Sequence, residues 1–90
     1  MLLHIGFSNT VAINKIVAIL SPETAASKRI RDLAKDDNYL IDCTMGRKLR
    51  SVILTNASYV LLSTIRPEAL IMRMNGTERN VDLKSSELPA

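Results

Sequence analysis

The densest cluster of charged side chains in the sequence is Arg47, Lys48 and Arg50, three cations within four residues with no acid between them. Arginine can form bidentate contacts with phosphate oxygens or guanine edges, and lysine supplies a compact positive charge. The cluster therefore has the chemistry of a nucleic-acid contact. A solvated turn is the alternative, because arginine and lysine are common at the tips of loops.

The residues around the cluster predict its geometry. The flanking apolar stretches, residues 39–44 and 49–55, are typical of strands, and residues 45–48 are few enough to connect them as a hairpin. Gly46 would supply the positive φ angle that such a turn requires. A hairpin tip is convex and rigid at its base, so these cations could enter a groove or lie along a row of phosphates.

Four further cations could extend this basic surface. Lys15, at the start of a predicted strand, could lie near the hairpin tip, and an ordinary solvated lysine is the equal alternative. Three others recur along one side of a predicted helix and could make auxiliary DNA contacts: Lys28, Arg31 and Lys35. Because Asp32 and Asp36 lie beside them, a solvated helix face is the alternative there.

The sequence lacks the side chains that most catalytic and metal sites require. It contains one histidine, His4, and one cysteine, Cys43, whereas a metal site needs several converging ligands. Asp36 and Asp37 are adjacent, and adjacent positions do not face each other. No motif joins His4 to a nucleophile, and a glycine-rich phosphate loop is absent. We expect no catalysis, metal, cofactor or small-molecule substrate.

Composition predicts a small domain that associates with itself. The chain has 90 residues, of which 47% are hydrophobic and only three are aromatic. A domain of this size buries roughly 60 to 65% of the surface that its unfolded chain exposes. So much aliphatic side chain exceeds what one small core needs. Because soluble monomers rarely expose large apolar patches, we predict a homo-oligomer.

The net charge of +3 is unevenly distributed. Residues 1–55 carry eight basic and five acidic side chains, and the remainder carries four of each. The surplus therefore lies in the half that contains the cationic cluster, where a polyanion would bind. The lone cysteine fits a reducing cytoplasm, and the apolar runs are far shorter than the roughly 20 residues that span a bilayer. We expect a cytoplasmic, nucleoid-associated protein that does not contact membranes.

Five short apolar segments predict the strands: residues 2–5, 15–20, 39–44, 49–55 and 59–64. A break near Asn14 precedes the second segment, and a short turn separates the last two. The last two contain consecutive apolar residues, so both faces of the sheet need cover. One helix can cover one face, and a partner subunit could cover the other.

The first helix is predicted to start at Pro22, with Ser21 as its cap, and to end near Asp36. Asn38 can then adopt the left-handed conformation of a helix end. Four small or apolar side chains share one face at helical spacing: Ala26, Ile30, Leu33 and Ala34.

The second helix is predicted to start at Pro67, to run to about Met74 and to be stopped by Asn75 and Gly76. The remainder is polar and aperiodic, so we predict a domain over residues 1–75 and a polar tail over residues 76–90. The expected fold is α+β, a small and mostly antiparallel sheet of four or five strands with two helices, assembled as a homo-oligomer.

Several motifs occur in an order typical of one bacterial family: HIGFSN at residues 4–9, AINKI at 12–16, ILSPETA at 19–25, LIDCTMGRKLR at 40–50, VLLS at 60–63 and RPE at 66–68. Through these motifs, which cover about residues 3–74, the sequence resembles the RemA family of extracellular-matrix regulatory proteins.

The resemblance implies a transcriptional regulator that binds double-stranded DNA upstream of target genes, among them biofilm-matrix operons. It also implies a ring-like homo-oligomer that presents many copies of a basic surface. The family's functional cations fall on Lys15, Arg47, Lys48 and Arg50. Lys15 and Lys48 stand where arginine is usual, and lysine lacks the bidentate fork, so base specificity is expected to be weaker or different.

We therefore expect a DNA-binding homo-oligomer, and one alternative from another class stays open. A scaffolding homo-oligomer that binds a protein partner would keep the self-association and leave the cationic cluster solvated. RNA binding is less well supported, because three aromatic residues are too few for base stacking.

Overall fold

A computed structural model describes residues 1–86 of the chain, and the surroundings of side chains up to residue 76. Its elements, in chain order, are β1 (Leu2–Gly6), β2 (Asn9–Ala12), a 3₁₀ turn (Ile13–Lys15), β3 (Ile16–Leu20), α1 (Ala25–Asp36), β4 (Leu40–Asp42), β5 (Ser51–Thr55), β6 (Val60–Ser63) and α2 (Pro67–Ser86). The two helices and the strands confirm the predicted α+β class.

A four-stranded sheet in the order β3-β5-β6-β4 forms the centre of the fold, and β1 and β2 form a separate two-stranded sheet. β5 pairs antiparallel with both β3 and β6, and the predicted turn at residues 56–58 joins β5 to β6 as a hairpin. β4 pairs parallel with β6. The sheet is thus mostly antiparallel, as predicted, with one parallel edge strand.

The predicted hairpin between residues 39–44 and 49–55 is wrong, because β6 lies between β4 and β5. A local turn ends β4 after three residues: the Asp42 carboxylate accepts hydrogen bonds from the backbone N–H and the hydroxyl of Thr44, at 2.8 and 2.6 Å. Two apolar segments that are close in sequence predict strands, but they do not reveal that a third strand will separate them.

Residues 43–50 form instead a loop that crosses the carboxyl end of β6, and we call it the basic loop. The N–H of Cys43 donates to the carbonyl of Leu62 at 3.0 Å, and the N–H of Arg50 donates to the carbonyl of Ser63 at 2.9 Å. The loop is therefore fastened to β6 at both of its ends.

The β1–β2 hairpin is an element that the sequence pattern does not predict. Its two-residue turn consists of Phe7 and Ser8, with φ angles of 51° and 66°. Such turns are usually marked by asparagine and glycine, and neither is present at these two positions. The predicted break near Asn14 is confirmed as the 3₁₀ turn, directly before β3.

Both faces of the four-stranded sheet are covered by the chain itself. On one face α1 packs through buried side chains of the helix and the sheet: Ala34, Val52, Val60 and Leu62. On the other face β1 and α2 pack through a second buried cluster: Leu3, Ile5, Ile53, Leu61 and Leu70. The idea that a partner subunit covers the second face is therefore wrong, because the β1–β2 hairpin and α2 cover it.

α1 begins later than predicted, because Thr24 caps it instead of Ser21. The Thr24 hydroxyl accepts a hydrogen bond from the N–H of Ser27 at 3.1 Å. The helix ends at Asp36, as predicted, and Asn38 follows with a φ of 64°.

The inner face of α1 is rotated from the predicted one. Ser27 and Ala34 are buried and Ile30 is half-buried, whereas Ala26 and Leu33 are exposed. A buried serine at the inner position conceals the true face from a pattern that counts only apolar residues.

α2 is also longer than predicted, since it continues beyond Met74 to Ser86. Asn75 and Gly76 are helical, which is tolerated because a glycine inside a helix is unfavourable by only about 1 kcal/mol relative to alanine. The predicted polar tail is thus helical over most of its length, and its last four residues, 87–90, lie outside the described residues.

Candidate nucleic-acid interface

The basic loop lies at the end of the four-stranded sheet where β4 and β6 finish and β5 begins. We call this the basic end. Met45 and Gly46 turn the chain with φ angles of 54° and 77°, which confirms the positive φ predicted for Gly46. The N–H of Arg47 donates to the carbonyl of Thr44 at 3.0 Å and closes the turn. The three predicted cations therefore follow a defined bend, although the bend is not a hairpin tip.

The three cations of the basic loop differ in exposure. Arg47 and Lys48 are exposed, whereas Arg50 is half-buried as the chain enters β5. Arg47 also contacts the β1–β2 hairpin, because its guanidinium lies 5.8 Å from the centroid of the Phe7 ring, within the range of a cation–π interaction.

An acid lies close to the other two cations. Glu23, just before α1, accepts a hydrogen bond from the Ser21 hydroxyl. This hydrogen bond is the main cause that lowers the pKa of Glu23, and the positive charges of Lys48 and Arg50 lower it further. Glu23 thus belongs to the electrostatics of the basic end.

A polar cavity of about 270 Å³ opens beside the basic loop. It is lined by side chains from three parts of the chain: Ser21, Glu23, Arg50, Arg66, Pro67 and Glu68. Arg66 is a cation that the sequence reasoning does not single out, because the segment Arg66-Pro67-Glu68 indicates the start of a helix. The position of Pro67 at the first residue of a helix was the available signal, because helix N-termini favour anions.

Lys15 does not join the basic end within one protomer. Its carbonyl accepts a hydrogen bond from the N–H of Asn56, in the turn that follows β5. The register pairs Ile16 with Thr55 and Leu20 with Val52, so Lys15 lies at the opposite end of the sheet. A five-residue strand separates the two ends by roughly 15 Å. The expectation that Lys15 lies near the tip is therefore wrong.

The three cations predicted to lie along one side of the first helix differ in exposure. Lys28 and Lys35 are exposed on α1. Arg31 is half-buried, and its Nη2 donates to the carbonyl of Pro22 at 2.8 Å. Arg31 therefore connects α1 to the segment that precedes it. Of the three predicted cations, only the two lysines are exposed.

The remaining candidate groups are not brought together. Within the described residues, no group of three histidine, cysteine, aspartate or glutamate side chains could hold a metal ion. Burial raises the pKa of Cys43, which is a property of an inert core thiol. His4 is exposed on β1, and its carbonyl accepts a hydrogen bond from Arg73.

In the part of the chain that the structure describes, no helix combines the length and apolar character that a membrane span requires.

Comparison with known proteins identifies the family of this small α+β protein. Residues 2–74 match the RemA-like family, described as extracellular matrix regulatory protein A-like, and the chain belongs to that family. The match confirms the resemblance seen in the motifs.

Curated bacterial relatives agree with this assignment. A protein of Finegoldia magna named "Putative regulatory protein" is 54% identical over 80 residues, which cover 89% of this chain and 96% of the relative. A similarly named protein of Shouchella clausii is 46% identical, over 90% of this chain and 93% of its own length. One of Trichormus variabilis is 53% identical over 80% of this chain and 82% of its own. These names support a regulatory role.

Proposed function

We propose that the protein is a DNA-binding transcriptional regulator that acts as a homo-oligomer and contacts the DNA backbone through the basic loop of each protomer. One observation carries the proposal: Arg47 and Lys48 project into solvent from a loop fastened to β6 at both ends. Among the described residues neither side chain forms an ion pair, so both charges are available to phosphates. Arg50 and Arg66 extend the positive surface toward the polar cavity.

A single basic loop would bind DNA weakly. Each phosphate contact contributes a salt slope of about −0.9, and one loop can reach only a few phosphates. Repetition of the loop in an assembly would make later contacts intramolecular and so raise the overall affinity. The proposed function therefore requires self-association.

Exposed apolar side chains at the two sheet edges support self-association. β3 and β4 are the edge strands, and Val17 on β3 is 65% exposed while Ile41 on β4 is 43% exposed. Beside β3 lies a groove lined by Val17 and Ile71, and Leu33 is exposed on α1, the helix that contacts β4. The unpaired backbone N–H and C=O groups of an edge strand can pair with another chain.

The direction of the strands favours a head-to-tail arrangement. β3 is antiparallel to β5, β5 is antiparallel to β6, and β4 is parallel to β6, so both edge strands run the same way. The two edges carry different side chains, and a contact between unlike surfaces continues from copy to copy, giving a ring where the rotation between copies closes and a filament where it does not. This geometry supports the ring expected from the family resemblance.

The other predicted cations have smaller parts in the proposal. Lys15 could approach the same DNA as the basic loop only across neighbouring protomers, because the length of the sheet separates the two within one protomer. Lys28 and Lys35 would make auxiliary contacts, and Arg31 would serve α1 rather than DNA.

The proposal extends to the targets and the compartment. We assign DNA binding and assembly to residues 1–75, which nearly coincide with the family match over residues 2–74. The family's description as matrix regulatory proteins supports biofilm-matrix operons as targets, and binding to chromosomal DNA would place the protein at the nucleoid in the cytoplasm.

A salt titration of DNA binding tests the proposal. Fluorescence anisotropy with a labelled random-sequence duplex should give steep salt dependence, and light scattering should give a mass well above the 10.0 kDa of one chain. The double variant Arg47→Ala, Lys48→Ala should bind at least tenfold more weakly, since it loses two charge-assisted phosphate contacts of about 1 kcal/mol or more each. Arg29→Ala, which removes an exposed arginine of α1, is the matched control and should change affinity little.

Two results would contradict the proposal. Unchanged affinity of the double variant at moderate salt would show that the basic loop is not the contact. No binding of the unmodified protein even at low salt, together with a large mass, would favour a scaffold whose partner is a protein.

A further inference from the structure

The turn of the β1–β2 hairpin is held in an unfavourable backbone conformation beside the basic loop. Phe7 and Ser8 both have positive φ angles, which side chains other than glycine rarely adopt. The side-chain amide of Asn9 donates to the carbonyls of Gly6 and Phe7, at 3.1 and 3.3 Å. Backbone strain of this kind concentrates at functional sites and persists only where the surroundings hold it.

The hairpin is also fixed to the sheet beneath it. The Ser63 hydroxyl, at the end of β6, donates to the carbonyl of Ile5 at 2.8 Å, and both side chains are buried. At Gly6, with a φ of 113°, a Cβ atom would lie only 3.2 Å from the hydroxyl oxygen of Thr64. The turn that carries Phe7 therefore has a defined position relative to the carboxyl end of β6, to which the basic loop is also fastened.

Phe7 is the one aromatic side chain beside the basic loop, and its ring is 45% exposed. The Arg47 guanidinium stands over this ring at 5.8 Å from the centroid. Within the described residues, the ring is the only side-chain partner of Arg47. A strained turn thus presents an exposed ring to an exposed arginine of the proposed DNA-binding surface.

We propose that Phe7 is a positioning residue for Arg47, and that the ring holds the guanidinium in the orientation in which it contacts a DNA phosphate. This inference rests on the proposed function. A free arginine side chain loses much rotamer freedom when it binds, and a guanidinium held against a ring by a cation–π contact has already lost part of it. A cation–π contact engages no oxygen acceptor, so the five N–H groups of the guanidinium stay available for phosphate oxygens.

The test compares variants of Phe7 in the full-length protein. Phe7→Leu keeps an apolar side chain and removes the ring, whereas Phe7→Tyr keeps the ring. With a labelled random-sequence duplex, Phe7→Leu should weaken binding about two- to fivefold, as expected for an exposed cation–π contact, and Phe7→Tyr should bind like the unmodified protein. Because Phe7→Leu removes no charge, the salt slope should stay unchanged, whereas Arg47→Gln should make it shallower.

A double-mutant cycle separates positioning from a general structural effect. In an Arg47→Gln background, Phe7→Leu should cause no further loss, whereas in a Lys48→Gln background the loss should persist in full. Thermal melting and light scattering should show the same fold and mass for Phe7→Leu, since the ring is 45% exposed and both side chains bear the steric cost of a positive φ angle.

Each contrary outcome is distinct. If Arg47→Gln weakens binding and Phe7→Leu does not, the positioning role is wrong and the proposed DNA site stands. If Phe7→Leu weakens binding equally in both backgrounds, the ring acts independently of Arg47 and the inference is overturned. If Arg47→Gln leaves affinity and salt slope unchanged, the proposed site itself is wrong.

Discussion

The two ends of the four-stranded sheet differ in chemistry although the same strands form both. At the basic end, Arg47 and Lys48 project from a loop, and the ring of Phe7 supports one of them. At the opposite end, Tyr39 and Tyr59 contact each other edge to face, with their centroids 5.2 Å apart. The first contact joins a cation to a ring in solvent, whereas the second joins two rings across neighbouring strands.

The backbone differs between the ends as well. Seven described residues have positive φ angles, and five of them lie at the basic end: Gly6, Phe7, Ser8, Met45 and Gly46. The others, Asn38 and Ser58, are single turn residues at the opposite end. Among the non-glycine residues of this group, Phe7, Ser8 and Met45 lie at the basic end, so three of the five unfavourable φ angles occur where the cations are presented.

The largest expected effect is on stability, and it comes from substitution of Gly6, where the β1–β2 hairpin approaches Thr64. Gly6→Ala should lower the free energy of unfolding by about 2–3 kcal/mol, because a Cβ atom meets Thr64 and the φ angle is unfavourable. Gly46→Ala is the matched control: its φ is also positive, but nothing lies within 4 Å, and it should lose about 1 kcal/mol. Urea unfolding at one fixed protein concentration measures both, and equal losses would show that the contact with Thr64 is unimportant.

A smaller effect is expected at the opposite end. The edge-to-face contact of Tyr39 and Tyr59 should appear as a coupling of about 0.5–1.5 kcal/mol in a double-mutant cycle of Tyr39→Leu and Tyr59→Leu. Urea unfolding of the four proteins gives this value. The same cycle measured by DNA affinity should show no coupling. A coupling in DNA affinity would contradict the assignment of DNA binding to the basic end.

The smallest effect concerns the charge balance of the basic end. Glu23 is exposed, and the positive charges of Lys48 and Arg50 act on its carboxylate. Glu23→Gln should therefore raise affinity for a random-sequence duplex about two- to threefold at low salt, the scale of a surface charge interaction. Asp32→Asn, on the exposed side of α1, is the control. If it raises affinity equally, net charge and not position is responsible.

The elements of the fold were largely predictable, and their arrangement was not. The apolar segments at residues 15–20, 49–55 and 59–64 predict β3, β5 and β6, because consecutive β-branched and leucine side chains are typical of buried strands. β2 escaped prediction because its turn lacks the usual glycine. The position of β4 in the strand order was not predictable, because strand pairing depends on contacts between residues far apart in the chain, and hydrophobic periodicity carries no information about such contacts.

The candidate site was predicted as a set of charges and not as a surface. Arg47 and Lys48 form a continuous run, so local sequence was sufficient to single them out. Phe7, Glu23 and Arg66 reach the same place from other segments, and only the fold brings them there. Lys15 was misplaced for the same reason, since its distance from the basic loop is set by the length of β5.

The position of β6 between β4 and β5 has a consequence for synthesis. Residues 40–55 leave the ribosome before β6 does, yet β4 and the basic loop gain their hydrogen-bond partners only when β6 inserts between the two neighbouring strands. Until β6 is in place, the carbonyls of Leu62 and Ser63 that fasten the two ends of the basic loop are missing. The cations therefore reach their final arrangement only when the sheet is complete.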